Sequence, residues 1–285
     1  ERFKECSVII KNKDKTLAIF PANIDNNNNL VSYGGLTYGS LIIHNEIKPF
    51  ELIKCFKELL LFYNGLGFKK IIYKSVPIYY YSKYSFFESY VLFIINAEIL
   101  RIDLSSVINL EANIELSKRK KRGIKKSKNY NLKLIKNDFI DLFWNEILSA
   151  NLEKKYKVKP VHTINEIRYL QSKFPENIVF YGVLFEEELI AGSLLFVNND
   201  VIHAQYIAAN EVGKKLFALD FLFSELLKNE MSRFRYFSLG ISNENDGRIL
   251  NKGLFDWKQG FGSEIFQNKF YSINTNNYFL LENFL

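Results

Sequence analysis

The stretch Tyr236-Phe237-Ser238-Leu239-Gly240-Ile241-Ser242-Asn243-Glu244-Asn245-Asp246-Gly247-Arg248-Ile249-Leu250-Asn251-Lys252-Gly253-Leu254-Phe255-Asp256-Trp257-Lys258-Gln259-Gly260-Phe261-Gly262 decides how the chain is read. It predicts a short strand at 236–239, a break at Gly240, a polar loop and then an amphipathic segment with one lysine, Lys258, among aromatic residues. A strand, a polar loop and a helix in that order bring polar groups to the end of a sheet.

Upstream of it the pattern is helix, helix and three strands. Asn137 is placed to cap a helix bearing Phe139, Phe143, Ile147 and Leu148. Thr163-Ile164-Asn165-Glu166 matches a capping box and opens a helix that stops before Pro175. Strands are expected at 178–185, 189–197 and 201–208, joined by short polar turns as in a meander. A helix over 214–231 follows, with Leu216, Leu219, Phe223, Leu226 and Leu227 on its apolar side and Asp220 interrupting it. A last strand is expected at 266–272.

The first half predicts paired strands at 7–10 and 16–20, a tight turn at Tyr33-Gly34-Gly35, a helix over 50–63 and strands at 70–73 and 90–94. Between the halves lies a basic run, Lys118-Arg119-Lys120-Lys121-Arg122 with Lys125, Lys126, Lys128, Lys133 and Lys136. Leu110, Ile114 and Leu116 suggest one helix from 109 to 128. The run reads either as a solvated face or as a contact for phosphate-bearing partners. The order of elements gives an α+β fold, with a first domain over 1–108 and a second over 109–285 entered through the basic helix.

Composition agrees with two packed domains. The 285 residues are 48% hydrophobic and 16% aromatic, with 26 Phe and 17 Tyr against 5 Pro, which excludes disorder. Cys6 and Cys55 have no metal-ligand spacing and fit reduced thiols. Three histidines without a carboxylate or cysteine at ligand spacing argue against a metal site. No apolar run reaches the length of a membrane span, the N-terminus does not read as a signal peptide, and the expected setting is cytoplasmic.

In order along the chain, Tyr33-Gly34-Gly35-Leu36, the basic helix, Pro160-Val161-His162-Thr163, His203-Ala204-Gln205-Tyr206, Leu219-Asp220, Leu239-Gly240-Ile241-Ser242, Asn251, Gly253-Leu254, Lys258 and Phe261-Gly262 resemble the GNAT acyltransferase superfamily in its Fem-type and BioF2-like branch. The resemblance implies two tandem GNAT-like domains with mostly antiparallel sheets flanked by helices. It implies transfer of an acyl or aminoacyl group to an amine, on a nucleotide-linked amino sugar or another cell-envelope glycan precursor. The implied donor is acyl-CoA, such as acetyl-CoA, or an aminoacyl-tRNA. The chain departs from the superfamily at the turn that cradles the CoA pyrophosphate. Asn210-Glu211-Val212-Gly213-Lys214-Lys215 keeps Gly213 and two lysines there, with Lys215 in place of a second glycine.

On these grounds the catalytic candidates are Lys258, implied by the resemblance to face the acceptor's phosphates or the reacting carbonyl, and His203, suited to take a proton near neutral pH. For Lys258 the competing reading is a side chain that reaches past Trp257 and Phe261 to solvent. For His203 it is a core histidine. His203 and Gln205 are expected to share a strand face. Gly213, Lys214 and Lys215 are candidates for the donor. Tyr33, Gly34, Gly35, His162, Gln205, Tyr206, Ser242, Glu244 and Asn251 are candidates for the acceptor. A nucleic-acid-binding protein using the basic run and a GNAT scaffold without activity are the rival readings.

Overall fold

The computed structural model describes residues 3–44, 46–81, 85–229 and 233–284. The fold is α+β, with mostly antiparallel sheets flanked by helices. The chain forms two compact units: residues 1–104, 243–249 and 266–285 in the first, and 105–242 and 250–265 in the second.

In the first unit, Val8–Asn12 and Lys15–Phe20 pair antiparallel, as expected of the strands at 7–10 and 16–20, and Ile42–Ile43 adds a third strand. The helix Pro49–Gly65 starts on a proline, and the Glu51 carboxylate accepts from the Lys48 N–H at 2.9 Å. Its stripe of Leu52, Ile53, Phe56, Leu59, Leu60 and Tyr63 is fully buried. The strand Lys70–Lys74 runs antiparallel to the strand Glu264–Asn274, and Tyr73 stacks on Phe20 at 5.9 Å in the core beneath the helix.

Two expectations for this half change. The run 90–94 is not a strand but part of the helix Ser85–Ile94. Val91, Leu92 and Ile95 are buried while Tyr90 and Phe93 are exposed, which is a helical period. A five-residue apolar run does not separate the two states. The strand here is instead Glu98–Asn109. It occupies the start of the helix expected over 109–128, which shrinks to Lys118–Ser127, capped by Ser117. Leu110, Ile114 and Leu116 still pack against the core, but from irregular chain.

The second unit is built on strands in the spatial order Ser105 to Asn109, Tyr236–Ile241, Val201–Ala209, Glu188–Val197, Ile178–Phe185 and Lys133–Lys136. Neighbours are antiparallel except Val201–Ala209 and Tyr236–Ile241, which are parallel. One face packs on the helices Ala218–Asn229 and Lys118–Ser127, and the other on the segments Ile140–Leu142 to Ser149–Tyr156 and on Ile164–Lys173. Within the former a π-helical turn spans Phe143–Leu148, and the Ser149 hydroxyl donates to the Trp144 carbonyl at 2.7 Å.

The capping box at Thr163 and Glu166 forms as predicted. Asn137 does not cap: its side chain accepts from the Phe180 N–H at 3.0 Å, and Phe139, with φ 63°, precedes the helix instead. The helix expected over 214–231 is two, Glu211–Lys215 and Ala218–Asn229, broken at Phe217, where φ is 58°. Its expected end at Met231 lies outside the described residues. Cys6 and Cys55 are free thiols. No described helix is long and apolar enough to cross a membrane.

Candidate functional site

The parallel ladder between Val201–Ala209 and Tyr236–Ile241 is short. It joins Val201, Ile202 and His203 to Tyr236, Phe237 and Ser238 and ends there, although both strands run on. Gly240, with φ +75°, turns the second strand just beyond that point, a conformation that disfavours a residue with a Cβ. Lys258, on the helix Lys252–Gln259, reaches the same place. Its ammonium donates to the carbonyls of Gly240 at 3.1 Å and Ile241 at 2.5 Å. The side chain is 4% exposed, so it does not run past the aromatics to solvent. Burial lowers its pKa to about 7. Two of its three protons are engaged, and no carboxylate among the described residues pairs with it.

His203 stands at the last rung of the ladder. Its Nδ1 lies 3.0 Å from the hydroxyl of Ser238, and its ring packs close to Gly240. Burial, then the Lys258 charge, lower its pKa to about 4, against a side-chain hydrogen bond with Gln205 that raises it. The imidazole is therefore neutral at pH 7, as a proton acceptor must be. A β-bulge shifts the register so that Tyr206, not Gln205, faces Leu194 across the ladder, while the Gln205 side chain still reaches His203, as expected of two residues on one face. Tyr206 in turn meets His162, with 2.7 Å between its hydroxyl and Nδ1, and Trp144 at 4.7 Å between ring centroids. His203, Gln205, Tyr206 and His162 thus lie on or against one strand. A groove of about 580 Å³ opens beside Trp144, lined also by Asn145, Ser149, Glu153, Lys159 and Thr163.

A second group was not expected from the sequence. It is Lys120, not Lys258, that sits between the aromatics, its ammonium 4.2 Å from the Trp257 ring and 4.0 Å from the Phe261 ring. It pairs with Asp220 at 2.5 Å, and the Trp257 N–H donates to the same carboxylate oxygen at 3.3 Å. Burial lowers the Lys120 pKa to about 8, while Asp220 works against that fall. The signal was present: Lys120, Gly123 and Ser127 form the buried stripe of the basic helix, the small residues at i+3 and i+7 marking its packed face. Lys120 and Asp220, with Arg119, Gly213, Lys214 and Phe217, line a cavity of about 280 Å³.

The remaining candidates are accounted for as follows. Gly213 lines that cavity, but its N–H donates to the Asn210 side chain at 2.8 Å, and a Cβ there would stand 2.3 Å from the Ile190 carbonyl oxygen. Lys214 pairs with Glu211 at 2.9 Å, and Lys215 is exposed. Ser242 is 1% exposed, with a hydroxyl that has no partner among the described residues. Asn251 caps the Lys258 helix, accepting from the Leu254 N–H at 3.1 Å, while its own N–H donates to the Ser242 carbonyl at 2.9 Å. Tyr33, Gly34, Gly35 and Glu244 belong to the first unit. Among the described residues no group of three His, Cys, Asp or Glu side chains is placed to hold a metal.

No protein-family model matches the sequence, and no curated protein matches it. Solved structures do. The tandem GNAT protein from the clavulanic acid biosynthesis pathway superposes with a TM-score of 0.55 over 96% of this chain and 84% of its own, at 8% identity. The chain has a GNAT-like fold. FemX gives a TM-score of 0.66 over 98% of this chain and 90% of its own, at 8% identity. The C-terminal DUF2156 domain of a protein assigned as a lysylphosphatidylglycerol synthetase from Agrobacterium fabrum gives 0.65 over 97% and 86%, at 13% identity.

Proposed function

We propose that this GNAT-like, Fem-type chain is an acyltransferase, and that the second unit moves an acyl or aminoacyl group from an activated carbonyl to an amine. The observation that carries the reading is Lys258: a buried ammonium at the end of a parallel ladder, bonded among the described residues to two neutral carbonyls and set beside a neutral His203. The amine attacks the donor carbonyl and a tetrahedral oxyanion forms. The remaining N–H of Lys258 stabilises that charge. His203 takes the proton released by the attacking nitrogen. Collapse of the intermediate re-forms the carbonyl and expels the donor's oxygen or sulfur, which leaves with a proton. No covalent enzyme intermediate is required.

The donor is read from the Asn210 turn. With the Gly213 amide engaged by Asn210 and its α-carbon against Ile190, this amide is not turned toward a pyrophosphate. That favours an aminoacyl-tRNA over acyl-CoA, and it accords with a net charge of +7. FemX and a domain named for an aminoacylated lipid among the structural neighbours point the same way. For the acceptor, the amine of a nucleotide-linked amino sugar or another envelope precursor is retained as the reading to test.

The test is to supply the chain with charged tRNA or acetyl-CoA, and with UDP-linked amino sugars or phosphatidylglycerol, and to follow acceptor mass. An aminoacyl increment that depends on charged tRNA is the expected result. An acetyl increment with CoA release moves the donor to acyl-CoA. No increment with any pair overturns the transfer reading.

A further inference from the structure

No step of the transfer uses the groove beside Trp144. Its floor is apolar, formed by Trp144, Ala150, Pro160 and Ile164. The π-helical turn Phe143–Leu148 supplies Trp144 and Asn145. The helix Ser149–Tyr156 supplies Ala150 and Glu153. The segment from Lys159 into the capped helix Ile164–Lys173 forms the other side. Single π-turns within helices are frequent at functional sites. This one is pinned, because the Trp144 carbonyl accepts from both the N–H and the hydroxyl of Ser149.

Trp144 is the fixed wall. It is 3% exposed, its ring meets Tyr206 edge-on at 4.7 Å, and the Tyr206 hydroxyl is held in turn by His162. Its indole N–H has no acceptor among the described residues, although a buried tryptophan ordinarily places that donor on a partner. The nitrogen is not sealed off, and the groove is the opening that this ring lines. An oxygen atom of a ligand lying there supplies the acceptor.

Two opposite charges stand at the rim. Glu153 and Lys159 both line the groove, and neither forms an ion pair among the described residues, with the other or with a third group. The neighbouring Lys154 is drawn to Glu211 at 3.6 Å and leaves Glu153 alone. The choice of ligand follows from these groups. A purely apolar molecule answers neither charge nor the indole N–H. A lone anion meets Glu153 as a like charge, and a lone amine meets Lys159. A molecule with an ammonium, a carboxylate and an apolar arm answers all of them at once.

We propose that this groove binds a free α-amino acid with an apolar side chain. Glu153 takes the ammonium, Lys159 and the Trp144 N–H take the carboxylate, and the side chain lies on Ala150, Pro160 and Ile164. The site stands whether or not the second unit transfers acyl groups, and binding alone tests it.

The chain has two tryptophans, so in Trp257→Phe the indole emission reports Trp144 alone. That variant is titrated with L-leucine, L-leucinamide, 4-methylpentanoate and glycine, and the wild-type chain is titrated with the same four by calorimetry. Leucine is expected to bind saturably and to shift the Trp144 emission. Leucinamide lacks the carboxylate, 4-methylpentanoate the ammonium and glycine the side chain. Each should bind at least about tenfold more weakly, because each leaves a group of the site unanswered. Ala150, Glu153 and Lys159 are exposed, so changes there spare the fold. Ala150→Phe fills the groove and should abolish leucine binding, while Glu153→Gln and Lys159→Met each weaken it severalfold. If Trp257→Phe does not fold, calorimetry carries the test. Absence of saturable leucine binding, glycine or leucinamide binding as tightly as leucine, or an unchanged affinity in Ala150→Phe overturns the proposal.

Discussion

The ammonium of Lys258 donates to the carbonyl of Gly240, 3.1 Å away, and so fixes the turn of the strand to a helix that begins twelve residues later at Lys252. The same bond holds a positive charge in a buried place where, among the described residues, two backbone carbonyls accept from it. A charge so held is available to a developing oxyanion and costs no reorganisation when it forms.

Replacement of Lys258 by Met is expected to lower kcat by about 10²–10³, the usual loss for one oxyanion donor. Some stability is lost too, since two carbonyls lose their donor, so circular dichroism must show the variant folded before rates are compared. The wild-type profile of kcat/KM should fall as pH rises through about 7, where Lys258 loses its proton. Lys258→Arg, which stays protonated, should move that limb to higher pH. A limb that stays near 7 in Lys258→Arg assigns it to another group.

His203 gives two readouts. As proton acceptor it is lost in His203→Gln, with an expected fall of at least tenfold in kcat/KM and loss of the acidic limb near pH 4. The second readout is stability. The folded pKa lies below the ordinary value of about 6.5, so between roughly pH 6.5 and 4 the unfolded chain binds the proton and the folded chain does not. Wild-type stability should therefore fall as pH drops through that window, and urea unfolding of His203→Gln should lack this slope. A slope shared by both proteins places the titration elsewhere.

What the sequence made legible follows from the reach of local rules. The meander, the Thr163 capping box and the long helix of the first half follow from apolar runs between short polar turns, cap chemistry and period, all local. The Ser85–Ile94 helix and the Glu98–Asn109 strand did not, because their states are decided by which side chains reach a core that sequence does not display. The site divides in the same way. Lys258 stands out as a lone cation among aromatics, but the charge those aromatics hold is Lys120, brought from 137 residues upstream. Inside a basic run, one buried lysine looks like its exposed neighbours.

Lys120 and Asp220 should behave as a unit. Both are nearly buried, so Asp220→Asn leaves an unpaired ammonium between Trp257 and Phe261, and Lys120→Met leaves an unpaired carboxylate. Removing one partner of such a pair costs about 3–5 kcal/mol. The double variant Lys120→Met/Asp220→Leu should lose less than either single change, because no lone charge remains. Chemical denaturation of the four proteins gives the cycle. Additive losses would mean that the two side chains do not share one energetic contact.

Gly213 and Lys215 separate a structural role from a donor-binding one at the altered turn. A Cβ at Gly213 would meet the Ile190 carbonyl oxygen at 2.3 Å, a backbone atom that cannot swing aside. Gly213→Ala should therefore lower stability by about 1–3 kcal/mol, the range for overpacking, whether or not a donor is present. Lys215 is exposed, and Lys215→Ala should leave melting unchanged. The informative quantity is the KM for the donor. If acyl-CoA phosphates rest on this turn, Lys215→Ala raises the KM for acetyl-CoA severalfold, and more so at low salt. If the donor is an aminoacyl-tRNA, charge on the exposed basic helix matters instead. Arg122→Ala should then raise the KM for charged tRNA and flatten its salt dependence, with acetyl-CoA inert in both variants.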